Sequence, residues 1–250
     1  MTEKPKGERP RHTATVRRTE WIAPSMVRVV FEANLDAPEL FADSYVKLLF
    51  DGVQRAYTVR RLDRGELWID FVVHGDAGLA GPWAAAAVAG DTLEFVGPGG
   101  DWSPRPAAEL HLFVGDESAL PAIASGIERL LADDPKAKAL VFGEVAAPEE
   151  HYPLPEGPGV EVHWVYRNGG AYGAELVDAV LENPYPVLDV EAFVHGNADM
   201  VRPLRRYLLG ERGLAREHLS ISGYWRAGHT DEEWRDMKRS FNAAMESDVV

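Results

Sequence analysis

Residues 110–145 read LHLFVGDESALPAIASGIERLLADDPKAKALVFGEV, and this stretch decides the fold. An apolar run at 110–115 ends in a turn of glycine and acidic residues, a helix is predicted at 119–132, and a second apolar run fills 139–145. Beyond it, strands are predicted at 160–166, 189–195 and 218–224, with helices at 172–182 and 198–209. Strands and helices alternating at this spacing mark a doubly wound parallel sheet with crossover helices. A last helix is signalled by Thr230 and Glu233, which form a capping box, and by Trp234, Met237, Phe241 and Met245, which share one face.

Upstream the pattern differs. Short β-branched and aromatic runs predict strands near 13–22, 26–33, 44–50, 55–62 and 66–74, with Asp63-Arg64-Gly65 as the tight turn between the last two. Adjacent strands joined by short turns predict an antiparallel β-barrel. A helix-like stretch, Ala80 to Val88, then leads to a strand around Thr92–Val96, the cluster GPGG at 97–100 and a linker rich in proline and alanine. The fold class is therefore β plus α/β: a barrel domain at 11–105, and a doubly wound domain with a C-terminal helix at 106–250. The first ten residues read as a frayed lead-in.

The chain has 250 residues and no cysteine. It can hold neither a disulfide nor a thiolate-ligated zinc or iron–sulfur cluster, so redox chemistry would need an organic cofactor. A formal charge of -14 disfavours nucleic acid and anionic membranes as partners. No apolar run approaches the roughly 20 residues of a membrane helix, and the opening MTEKPKGERPRH is charged, so neither an anchor nor a signal peptide is expected.

Two segments carry candidate chemistry. The strand RAYTVR, Arg55 to Arg60, sets Arg55, Tyr57 and Val59 on one face and Ala56, Thr58 and Arg60 on the other. One face thus offers a guanidinium for phosphate and a ring for stacking; a half-exposed barrel strand with scattered arginines explains the same residues. The segment DFVVHGDAGLAGPWAAAAVAGD runs through His74-Gly75 into a glycine-rich loop and a helix, where backbone N–H groups can approach a pyrophosphate; a plain turn fits equally. In the second domain, Gly115-Asp116-Glu117-Ser118 stands between first strand and helix, the usual dinucleotide position in an open sheet, and also a place for an N-cap. Glu144, at the second strand's end, is a candidate for a ribose hydroxyl, and Arg167, after the third, for a 2′-phosphate. The two point in opposite directions, so NADH and NADPH both stay open.

Taken in order, the arginine-x-tyrosine-threonine strand, HG, the glycine loop, GD, GPGG, GDESALPAI at 115–123 and SGYWRAG at 222–228 resemble the siderophore-interacting proteins. These are ferredoxin-reductase-like flavoproteins, and the matches span nearly the whole chain. The resemblance implies an FAD-dependent ferric-siderophore reductase, with an FAD-binding barrel and a nicotinamide-binding α/β domain. It implies that Arg55 neutralises the FAD pyrophosphate, Tyr57 packs on the flavin or ribityl chain, Thr58 bonds near the reactive flavin nitrogen and Val59 lies beside them. His74, Gly75, Gly78, Ala80 and the helix start near Trp83 would enclose the pyrophosphate, although Trp83 is by itself mostly a core residue. Leu79 replaces the family's proline in this loop, with another proline at Pro82. The turn His195-Gly196-Asn197-Ala198 also departs from the usual glycine, glutamate, alanine.

Asp116, Glu117 and Ser118 would then meet the nicotinamide cofactor, NADH or NADPH, and Trp225 with Tyr224 would lie near the flavin. Lys47, Arg226 and Lys238 are candidates to hold the ferric siderophore. No acid–base catalyst and no protein-bound metal are implied. The same fold would also serve a general flavin reductase or diaphorase, or a siderophore carrier that has lost its flavin. With no targeting signal read, the resemblance implies a cytoplasmic location.

Overall fold

The computed structural model describes residues 10–33, 35, 40–74, 78–186 and 189–247. The chain divides into two compact units, Met1–Trp21 with Ser25–Asp101, and Ile22–Pro24 with Trp102–Val250.

The first unit is a seven-stranded sheet of β1 (Arg11–Ala23), β2 (Met26–Ala33), β3 (Tyr45–Phe50), β4 (Val53–Thr58), β5 (Arg61–Asp63), β6 (Glu66–Val72) and β7 (Thr92–Gly99). Their order is β4-β3-β7-β1-β2-β6-β5. The β1–β7, β3–β4, β3–β7, β2–β6 and β5–β6 ladders are all antiparallel. The strand predicted at 55–62 is two strands, because the backbone changes partner within it. β4 pairs with β3, then the Val59 N–H donates to the Ser44 carbonyl and the Arg60 N–H to that of Trp68, and β5 continues along β6. This hand-over joins the sheet's two ends and closes the barrel.

Inside lie Phe31, Leu48, Leu67, Ile69, Phe71 and Phe95, each almost wholly buried. One helix, α1 (Ala80–Ala86), adds Trp83 to this core, within 5.7–6.2 Å of the rings of Phe31, Phe50 and Phe71. Gly81 permits the approach, since a Cβ there would stand 2.9 Å from the Val72 carbonyl oxygen. On the outer side, Arg28 faces Asp70 across the β2–β6 ladder and grips it with bonds of 2.7 and 2.8 Å.

The second unit holds five parallel strands, β8 (Leu110–Asp116), β9 (Ala139–Val145), β10 (Val160–Tyr166), β11 (Val190–Asn197) and β12 (Leu219–Trp225), in the order β10-β9-β8-β11-β12. The helices are α2 (Leu120–Asp133), α3 (Ala174–Glu182), α4 (Ala198–Arg205) and α5 (Asp231–Ser247). β9 and β10 are joined through a single short turn of helix at Pro148–Glu150, and α4 runs on as a wider helical turn over Arg206–Glu211. The helix predicted from 172 starts at 174, because Gly173 before it takes a left-handed φ of 79°. From β8 the chain runs outward to β9 and β10, then crosses back to β11 and β12. The reversal between β8 and β11 is the topological switch point, where open sheets of this kind bind ligands.

The capping box forms as predicted: the Thr230 N–H donates to Glu233 Oε2 at 2.8 Å, and the Glu233 N–H to Thr230 Oγ1 at 3.2 Å. Trp234 and Met245 are buried, and Phe241 packs against the same core. Beneath the sheet surface His195 stacks on Phe193 at 3.8 Å and meets the edge of Tyr224 at 5.0 Å, with Nε2 2.9 Å from Ser220 Oγ. Burial, helped by the charge of Lys238, pushes its pKa down to about 3. Among the described residues no helix is long and apolar enough to cross a membrane.

Two outcomes follow. Asp70→Asn removes the charge that faces the Arg28 guanidinium and is expected to cost ~3 kcal/mol in urea unfolding, the scale for breaking a buried pair. His195 stays neutral in the fold but takes a proton below its usual pKa of 6.5 once unfolded. Stability is therefore lost as pH falls from 6.5 toward 3. At pH 5 the loss is ~2 kcal/mol, and it should be absent from denaturation curves of His195→Gln.

Candidate functional site

In the first unit the candidate residues gather on β4 and around α1. Opposed pairs in the β3–β4 ladder are Leu48 with Arg55, Val46 with Tyr57, Lys47 with Ala56, and Tyr45 with Thr58. Leu48 and Val46 are core residues, so Arg55 and Tyr57 share the inward face, whereas Thr58 and Lys47 lie on the outward one. Arg55 is half-buried, with Nη1 donating to the Gln54 carbonyl at 3.0 Å. Tyr57 is half-buried against Phe71, ring centroids 4.4 Å apart. Val59, Ala80 and Trp83 belong to the barrel core or pack directly on it.

His74 is exposed just after β6, and Gly75 lies outside the described residues. Gly78 has a φ of 81° with no heavy atom within 4 Å of where a Cβ would be, and Leu79 beside it is exposed. These residues fit a flavin dinucleotide: a guanidinium and a phenol ring share one strand face, and a glycine leaves its backbone open to a phosphate-bearing ligand. The GPGG cluster is closely packed. A Cβ on Gly100 would stand 2.8 Å from the Ser44 Cα, and one on Gly97 3.2 Å from the Tyr45 carbonyl.

In the second unit the candidates line the carboxyl ends of the strands, where one buried carboxylate ties three of them together. Asp116, ending β8, accepts from the Asn197 N–H at the end of β11 (2.7 Å), from Trp225 Nε1 at the end of β12 (2.9 Å), and from the N–H and hydroxyl of Ser118 (2.9 and 2.5 Å). Burial raises its pKa and neighbouring Glu117 adds to the rise, while these donors oppose it. Gly196 is required here, since a Cβ would come within 2.8 Å of both carboxylate oxygens. Asp116 and Ser118 thus bond to each other and to the fold.

Trp225 meets Tyr172 edge-on at 4.6 Å, and Tyr172 underlies the Arg167 guanidinium at 4.1 Å. Arg167 is buried, bonded to both oxygens of Glu117 and, at 3.1 Å, to Glu144. Glu144 also accepts the Gly173 N–H at 2.9 Å, and its burial pushes its pKa up to about 7 against the pull of these partners. Glu144 and Arg167, opposed as ribose and phosphate ligands in the sequence, face each other. Tyr172 and Gly173 carry no sequence motif. A signal for the cluster exists in the register, which aligns Asp116 with Glu144 and Val145 with Tyr166.

The three substrate candidates differ in availability. Lys47 is exposed on the first unit. Lys238, on α5, is half-buried, and burial lowers its pKa. Arg226 is engaged within the second unit, by Asp199 at 3.0 Å and by the face of Phe241.

Comparison with known proteins adds the following. Residues 108–228 match the family model for siderophore-interacting protein, and residues 51–102 that for the siderophore-interacting FAD-binding domain. The chain is 39% identical to an uncharacterized protein of Mycobacterium tuberculosis, Rv2895c, over 94% of this chain and 97% of the other. It is 34% identical to the ferric vibriobactin reductase ViuB of Vibrio cholerae, over 74% of this chain and 68% of ViuB. A siderophore utilization protein from T. fusca superposes with a TM-score of 0.79 at 34% identity, covering 89% of this chain and 95% of that one. The ferredoxin reductase of carbazole 1,9a-dioxygenase, 18% identical, shares the fold with a TM-score of 0.71 over 88% of this chain and 71% of its own. With both halves matched in order, the chain belongs to the siderophore-interacting protein family.

Proposed function

We propose that this protein is an FAD-dependent reductase of ferric siderophores that draws electrons from a nicotinamide dinucleotide and releases Fe(II). The observation that carries the reading is the shared inward face of Arg55 and Tyr57 within the stretch that matches the FAD-binding domain. The reductase name of ViuB, and that of a ferric acinetobactin reductase of Acinetobacter baumannii at 27% identity, support the substrate class.

Bound FAD supplies the exchange between a two-electron donor and one-electron ferric iron. The chain's own part is binding and placement. Arg55 offers charge-assisted bonds to the pyrophosphate, with Gly78 leaving backbone open beside His74. Tyr57, fixed against Phe71, presents a rigid ring to the flavin, and the Thr58 hydroxyl is the polar group next along β4. Asp116 fixes the carboxyl ends of β8, β11 and β12 at the switch point, which positions Ser118 for the nicotinamide donor and holds the Trp225 ring in place. Lys47 on the first unit and Lys238 on the second are each a candidate source of positive charge for a ferric chelate, and the chain's net charge of -14 makes such local charge necessary. Arg226 would serve in this way only by leaving Asp199.

The purified protein is expected to be yellow and to release FAD, not FMN. Arg55→Ala should weaken FAD retention by roughly 1.5–3 kcal/mol, read by equilibrium dialysis, and unchanged affinity would remove Arg55 from the cofactor site. Under anaerobic conditions a reduced nicotinamide should bleach the flavin. A ferric siderophore should then restore its colour while a ferrous chelator traps iron. Bleaching without reoxidation by siderophore points to a diaphorase, and a colourless protein that binds siderophore points to a carrier.

A further inference from the structure

We propose that the donor site selects NADH over NADPH, because the cation at the ends of β9 and β10, Arg167, is already bound by Glu117 and Glu144. The inference rests on the nicotinamide reading above and specifies which nucleotide that site takes.

In an open parallel sheet the pyrophosphate lies near the switch point, and the ribose of the adenosine half lies toward the end of the second strand, where an acid marks NAD and an arginine marks NADP. Here the second strand is β9, ending in Glu144-Val145, and the arginine is Arg167 just after β10. A 2′-phosphate carries about −1.5 to −2 charges and needs a cation free to meet it. Arg167 is not free. Both oxygens of Glu117 and one of Glu144 hold its guanidinium, and Tyr172 covers one face. Turning it toward a phosphate would leave two buried carboxylates without their counter-ion.

The surroundings carry the same sign. Asp116 lies beside Glu117, and the turn after β9 adds Glu149 and Glu150. Lys136 and Lys138 precede β9 and so stand at the opposite end of the strand, and Asn168-Gly169-Gly170 after Arg167 carries no charge. Glu144, with its pKa raised to about 7, is partly protonated at neutral pH, yet Glu117 alone occupies two donors of Arg167. With Glu144 neutral, Glu117 still balances Arg167, and Glu149 and Glu150 keep the edge net negative. A neutral ribose hydroxyl is compatible with that field; a phosphate is repelled.

The test uses the flavin-loaded protein. Anaerobic rapid mixing should show NADH bleaching the flavin at least about tenfold faster than NADPH at equal subsaturating concentration, as ADP-ribose should bind more tightly than its 2′-phosphate by calorimetry. Glu117→Gln removes one negative charge and should raise the NADPH-to-NADH ratio about fivefold, the effect of one unit charge at roughly 4 Å in a watery dielectric. Equal or better use of NADPH by the wild type, or tighter binding of the 2′-phosphate, overturns the proposal whether or not the variant folds. An unmoved ratio in a folded Glu117→Gln overturns the assignment to this cluster. Failure of both nucleotides to bleach the flavin removes the nicotinamide reading itself, and the preference with it.

Discussion

A single carboxylate organises the working edge of the parallel sheet. Asp116 is wholly buried at the end of β8, and its two oxygens collect an N–H from β11, an indole N–H from β12 and both donors of Ser118. Such a group is stable inside a protein only when its acceptor capacity is filled, so these partners are obligatory. The constraint passes outward through contacts. Trp225, fixed by Asp116, rests on Tyr172; Tyr172 lies under Arg167; Arg167 joins Glu117 to Glu144; and Glu144 holds Gly173, from which α3 starts. All five strand ends are thereby set relative to one another before any ligand arrives.

Much of this was legible in the sequence. The parallel sheet could be read because buried parallel strands are continuous apolar runs, and the crossover helices between them keep a regular spacing. The capping box and its apolar helix face were equally plain, since both depend on residues within one or two turns. What could not be read was pairing between distant segments. The hand-over at Val59 and Arg60 leaves no local mark, because extended backbone looks the same whichever neighbour it bonds.

The candidate site was legible in type more than in role. RAYTVR does put Arg55 and Tyr57 on one face, as strand alternation requires. Charged residues are harder to read for a simple reason: a sequence shows each charge alone, while a fold pairs them. Glu144 and Arg167 are 23 residues apart and looked like rival ligands, yet they meet at 3.1 Å; Arg226 looked like part of a substrate rim and is held by Asp199. The family resemblance pointed to the family but not to these pairings, which depend on register between strands.

The closure of the barrel also bears on how many strand edges the chain leaves open. β4 runs almost directly into the three-residue β5, so the two ends of the seven-stranded sheet are continuous backbone and leave little open ladder for another strand. The parallel sheet keeps ordinary borders at β10 and β12. β10 carries the exposed Glu161 with His163 bonded to it at 2.7 Å, a charged border of the kind that discourages strand addition. β12 has only the hydroxyls of Ser220 and Ser222 along its middle, so of the two borders it is the less defended against templated aggregation when the helices over it loosen.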